Sequence, residues 1–74
     1  MNIPAYLEKH GLSQEAFAKQ IGVSQGLVWQ WLKWLKNRKH GTQITAERAK
    51  LIEAKTNGEI NRAELRPDLW DLAA

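Results

Sequence analysis

Cysteine is missing altogether from this 74-residue chain. Its absence excludes disulfides, thiolate metal sites and thiol catalysis together, and fits a reducing compartment. Proline is confined to Pro4 and Pro67. No apolar run approaches the length of a membrane span, and the opening MNIPAYLEKHG has no basic leader. A cytoplasmic protein without a membrane partner is therefore expected. Only His10 and His40 could serve as bases near neutral pH, and neither has a nucleophile or a second ligand nearby in sequence. Both precede glycine, a position typical of a helix C-terminus, where a cation is favoured. There is no Gly-rich phosphate loop and no Cys/His cluster, so no metal, cofactor or small-molecule ligand is expected, and catalysis is not expected either.

What the chain does contain is concentrated. Four Trp, one Phe and one Tyr supply large apolar area in few positions, as a chain near the lower size limit for independent folding requires. One domain, residues 1–74, is the reading. The net charge of +3 is modest, but Lys33, Lys36, Arg38 and Lys39 lie together in a stretch with no acid. The seven other Lys and Arg are outnumbered by eight Asp and Glu, so the whole positive excess is local. Such a run is usually a solvated face; what precedes it gives it more weight.

Apolar periodicity and caps predict five helices and no strand. Asn2 caps a first helix through about Lys9, with Pro4 in its opening turn, Ile3 and Leu7 on its buried face and Gly11 at its end. Ser13 caps a second, Gln14 to Ile21, with Phe17 and Ile21 one turn apart. A third starts at Gln25 and runs to about Asn37, since Val28, Trp31, Leu32 and Leu35 keep the helical period and no breaker occurs before Gly41. Thr45 caps a fourth, Ala46 to about Lys55, with Ala49 and Ile52 facing inward. Asn57-Gly58 closes it in a loop. Asn61 with Glu64 has the spacing of a capping box for a short fifth helix, Arg62 to Leu65, which Pro67 ends.

Within this series, QEAFAKQIGVSQGLVWQWL (14–32) has the spacing of a helix-turn-helix. Ala18 falls where two helices cross, Gly22 takes the tight turn, Ser24 caps the second helix, and Val23, Val28 and Trp31 fix the pair to the rest. The same two helices would also suit a plain αα-hairpin of a small bundle; the complete series, the two caps and the basic run that follows favour DNA binding. Gly26, Gln30, Lys33 and Asn37 form one polar stripe opposite Val28 and Leu35. The residues expected at base edges are Gln25, Gly26, Trp29, Gln30 and Lys33. Those expected at phosphates are Gln14, Ser24, Lys36, Asn37, Arg38 and Lys39. Leu27 and Trp34 share a flank, for which packing at the core margin and contact with a second subunit both stay open, and core packing stays open for Trp29.

The VSQGLVWQW segment and the stretch ITAERAKLIEAKTNGEINRAELRPDLW together resemble the Cro-like regulators of bacterial prophages, most closely those of the YdaS type, often labelled antitoxins. The Thr-x-Gly followed by the E-L-R-P-D-L-W close is the more distinctive part. The resemblance implies an all-α, lambda-repressor/Cro-like bundle of about five helices and a repressor's role in the lysis–lysogeny switch. One departure stands out: members of the family commonly end the third helix soon after the position of Trp31, whereas here the chain continues through KWLKNRKHGTQ.

Three functions compete. The first is sequence-specific binding of double-stranded DNA as a homo-oligomer, a dimer on half-sites one helical turn apart. The second is an antitoxin-type interaction module that neutralises a protein partner. The third is single-stranded nucleic-acid binding by stacking on Trp29 and Trp34. Leu69, Trp70 and Leu72 crowd large apolar side chains into the tail, to be buried between subunits as the expected oligomer contact or else against the domain itself.

Overall fold

The computed structural model describes residues 1–70, and in them the chain is all-α: α1 (Ile3–His10), α2 (Gln14–Ile21), α3 (Gln25–Lys36), α4 (Ala46–Lys55) and α5 (Arg62–Leu65). Each helix begins where the sequence offers a short polar side chain. Asn2, Ser13, Ser24, Thr45 and Asn61 accept from the backbone N–H groups of Ala5, Ala16, Leu27, Arg48 and Ala63 at 2.7–3.2 Å. At about 1 kcal/mol per cap, the five together rival the net stability of a chain this short.

The core is one cluster. Ile3, Phe17, Val28, Trp31, Ile44, Ile52, Ile60 and Leu65 are almost wholly excluded from solvent, so every helix contributes and so do the two loops that follow α3 and α4. On α1 the buried partner of Ile3 is Tyr6, and Leu7 is only half-buried. The expected face is thus rotated by one residue. Burial of Tyr6 is possible because its hydroxyl accepts from Gln20 Nε2 at 2.9 Å, while the same amide nitrogen donates to the Lys55 carbonyl at 2.9 Å. The ring meets Phe17 edge-on at 5.8 Å between centroids, a favoured aromatic geometry.

The loop after α4 explains the Thr-x-Gly. Thr56 is buried, its hydroxyl donating to the Ile52 carbonyl at 2.7 Å and accepting from the Ile60 N–H at 3.2 Å. Asn57 and Gly58 both take positive φ, 54° and 80°, so the chain reverses and delivers Ile60 to the core. The capping box expected at α5 does not close. Asn61 caps, but the Glu64 carboxylate lies 2.7 Å from the N-terminal ammonium of Met1, and the Arg62 N–H donates instead to Glu53 Oε2 at 2.9 Å.

The R-P-D of the close is also structural. Arg66 grips Asp68 through two nitrogens, at 3.0 and 2.7 Å, and donates a third bond to the Ile44 carbonyl at 2.9 Å. The guanidinium holds the Asp68 carboxyl below its usual value, and the carboxylate raises Arg66 in turn. No helix among the described residues is long and apolar enough to cross a membrane.

Candidate nucleic-acid interface

The site is built by α2, the turn at Gly22 and α3. Gly22 adopts φ 89°, a left-handed conformation open to glycine. From there its own N–H and that of Val23 both return to the Ala18 carbonyl, at 2.8 and 2.9 Å. Ala18 is buried between the helices, so a methyl group sets how closely they approach. Ser24 then starts α3, and Val28, Trp31 and Trp34 turn inward. One face of α3 is thereby committed to the core and the other is presented.

The presented face carries the residues expected at bases. Gln25, Gly26 and Lys33 are exposed, and Trp29 is 49% exposed, so the alternative that it packs inside does not hold. The Lys33 ammonium lies over the Trp29 ring, 4.4 Å from its centroid. Gln30 is half-buried, because the loop after α3 folds back beside it. Trp34 is buried, with the Arg38 guanidinium 4.0 Å above its ring. That settles its position as core margin and removes it from any stacking platform for single strands.

The loop after α3 has a defined path. α3 ends at Lys36, where Asn37 turns extended. The Asn37 side chain accepts from the Lys39 N–H at 3.0 Å and its carbonyl from the His40 N–H at 2.9 Å. Gly41, at φ 72°, then lies so close to α3 that a Cβ on it would stand 2.3 Å from the Gln30 carbonyl oxygen and 2.7 Å from the Trp34 nitrogen. Thr42 donates its N–H to that same Gln30 carbonyl at 3.2 Å. With Ile44 buried and its carbonyl held by Arg66, residues 37–44 form a strap pinned at both ends. The strap is why the basic run projects from a fixed backbone.

Among the expected phosphate contacts, Lys36, Asn37, Arg38 and Lys39 are all exposed along this strap and the end of α3. Among the described residues, Lys33, Lys36 and Lys39 have no carboxylate partner. Of the other Lys and Arg, Lys9 meets Glu59, Lys19 meets Glu15 and Arg66 meets Asp68, while Arg48, Lys50, Lys55 and Arg62 likewise have no carboxylate partner among the described residues. Arg38 lies near enough to Asp68 to help lower its carboxyl. Ser24 is exposed with its hydroxyl engaged as the cap, and Gln14 is half-buried at the first turn of α2. Sequence reasoning missed Gly41, which anchors the strap, and His40, which lines a shallow depression with Lys33, Lys36 and Asn37. The His-Gly pair directly after the run was the available signal. His10, by contrast, sits at the end of α1 as expected, while His40 lies beyond its helix.

Of the expected oligomer contact, Trp70 is half-buried against the chain's own core, with Arg62 5.0 Å from its ring, and Leu69 is 47% exposed. Leu72 lies outside the described residues.

Comparison with known proteins adds two findings. Residues 5–72 match the family described as "Bacterial toxin YdaS". The chain is also 43% identical, over 56 residues, to the Escherichia coli K12 protein named "Putative transcriptional regulator YdaS". That alignment covers 76% of this chain and 51% of the relative, so the chain spans about half the length of the protein it matches. No solved structure matches it.

Proposed function

This chain belongs to the YdaS family, and from that premise we propose that it is a sequence-specific, double-stranded DNA-binding transcriptional regulator, a Cro-like prophage repressor. Residues 1–74 act as one DNA-binding domain in the cytoplasm, by binding and not by catalysis. The observation that carries the reading is the conjunction on one surface of an uncommitted α3 face and, pinned beside it, a cationic strap with no acid in its own sequence. In the major groove, the exposed N-terminal half of α3 brings Gln25, Trp29 and Gln30 to base edges. Lys36 at the end of α3, with Arg38 and Lys39 on the strap, then meets flanking phosphates. The relative's name as a transcriptional regulator supports the same reading.

A homodimer on half-sites one turn apart follows from the small footprint of one such helix. Selection of bound fragments from a random duplex pool tests the proposal: recovered sites carry paired half-sites, and charge reversal of Lys36, Arg38 and Lys39 abolishes recovery. Recovery that survives the reversal, or none with the unaltered protein, rejects it.

A second reading, an antitoxin-type module that neutralises a partner, draws on the cleft between α1, α3 and α5. Pro4, Leu32, Leu35 and Leu65 give it apolar walls, and Lys36, Arg38 and Glu64 charge its rim. Association with a protein partner by a protein that selects no duplex from the random pool would favour it.

A further inference from the structure

Trp29 and Gly26 stand one turn apart on the presented face of α3, and each is anomalous alone. Trp29 is the large aromatic of α3 left in water: Trp31 and Trp34, on the same helix, are 1% and 7% exposed, against 49% for Trp29. Gly26 lies inside the helix, where glycine costs about 1 kcal/mol relative to alanine. Nothing inside the chain requires that sacrifice. A Cβ on Gly26 would meet only Ser24 Oγ, at 4.0 Å, and its backbone is ordinary helix with no positive φ. Gly41 shows the opposite case, a glycine demanded by the chain's own backbone.

The missing side chain and the exposed indole delimit a notch. Residues three apart on a helix have Cβ atoms about 5–6 Å apart, so a glycine at the first position leaves space beside the ring at the second. Lys33, one turn further on, places its ammonium 4.4 Å from the centroid. That contact favours one orientation of the indole by about 0.5–1 kcal/mol. In the major groove the bulkiest apolar group on any base edge is the C5-methyl group of thymine. An indole can cover that methyl.

We propose that Gly26 and Trp29 form a thymine-methyl pocket on α3, so that the chain selects thymine at a defined place in each half-site. The inference rests on the DNA-binding reading above.

The test uses a duplex selected from a random pool by the unaltered protein, resynthesised with deoxyuridine in place of thymidine one position at a time. Binding is followed by fluorescence anisotropy at fixed salt. Uracil keeps the pairing edge and lacks only the methyl, whose burial corresponds to about a three- to fourfold change in affinity. The expected result is one thymine per half-site at which the substitution weakens binding by that factor, and equal binding of the two duplexes by Trp29→Ala and by Gly26→Ala. Gly26→Ala guards against a trivial loss, since alanine fits at 26 and favours the helix, so circular dichroism is expected to show a fold at least as stable. A ratio near one at every thymine, or one that survives in either variant, overturns the pocket while leaving DNA binding intact. Failure to select any duplex removes the DNA-binding reading, and the pocket with it.

Discussion

Lys9 and His10 at the end of α1 both reach the Glu59 carboxylate, at 2.6 and 3.1 Å, and the His10 ring lies 4.4 Å from that of Tyr6. Lys33, Lys36 and Lys39, with Trp29 beside them, use the same residue types and find no carboxylate among the described residues. The first region closes on itself, joining α1 to the loop before α5. The second is equally well anchored in its backbone, through Gly41, Thr42 and Ile44, yet its lysines are left without a carboxylate among the described residues. A rigid backbone carrying uncompensated charge has self-repulsion to bear and gains nothing internally from it. Such charge is informative where a partner of opposite sign accounts for it.

The comparison requires the presented face of α3 to be dispensable for folding, and the sharpest break is between two tryptophans two residues apart. Trp31→Ala removes the largest fully buried side chain and is expected to cost about 3–5 kcal/mol. That is a large part of the stability of a chain this size, so thermal melts should show it mostly unfolded at 37 °C. Trp29→Ala, which loses little more than its contact with Lys33, is expected to stay within about 1 kcal/mol of the unaltered protein. Similar losses in both would mean that Trp29 serves the fold.

Next in size is the contrast in charge. If Lys36, Arg38 and Lys39 each neutralise one phosphate, their joint replacement by Gln lowers the log–log salt slope by about 2.7, so a fourfold rise in salt costs the unaltered protein about 40-fold more affinity than the variant. Lys9→Gln, whose charge is already compensated by Glu59, is expected to leave the slope unchanged. Titrations at several salt concentrations decide it, and an equal effect from Lys9 would erase the distinction between the two regions.

Gly41→Ala tests whether the strap positions those charges. A side chain there is strained by φ 72° and would stand 2.3 Å from the Gln30 carbonyl. A loss of about 1–3 kcal/mol is expected, with a melting point lower by roughly 4–8 °C per kcal/mol. Duplex affinity should fall in parallel as the strap lifts. Unchanged affinity would show that the cations work without being held.

The helices were legible in the sequence because their signals are local: Ser13, Ser24 and Thr45 cap within three residues, and Phe17 with Ile21 or Ala49 with Ile52 mark faces by period alone. What was not legible depends on contacts across the chain. Tyr6 is buried because Gln20, from another helix, satisfies its hydroxyl, and Glu64 leaves Asn61 for the N-terminal ammonium. Within the candidate site, the exposed half of α3 was readable by helical phase. The strap was not, since its path follows from a glycine touching a carbonyl eleven residues earlier and from an arginine far downstream that binds Ile44.

The smallest expected effect probes the self-compensated region directly. Hydrogen bonds from Lys9 and then His10, outweighing partial desolvation, hold the Glu59 carboxyl below its ordinary value. A carboxyl whose value is lower in the folded chain than in the unfolded one stabilises the fold above the unfolded value, near 4.3 for glutamate, and loses that contribution as pH falls through the folded value. Thermal melts between pH 7 and pH 3 should therefore show the unaltered protein more stable than Glu59→Gln at and above pH 5, with the gap narrowing below about pH 4.3 as the carboxyl is protonated. The gap itself is expected to be small, because the group is solvent-accessible and screened. Duplex affinity of Glu59→Gln at neutral pH should match that of the unaltered protein, because freeing Lys9 and His10 at the end of α1 adds charge away from the strap. A rise in affinity would place that end of α1 within reach of the phosphates and join the two regions into one binding surface.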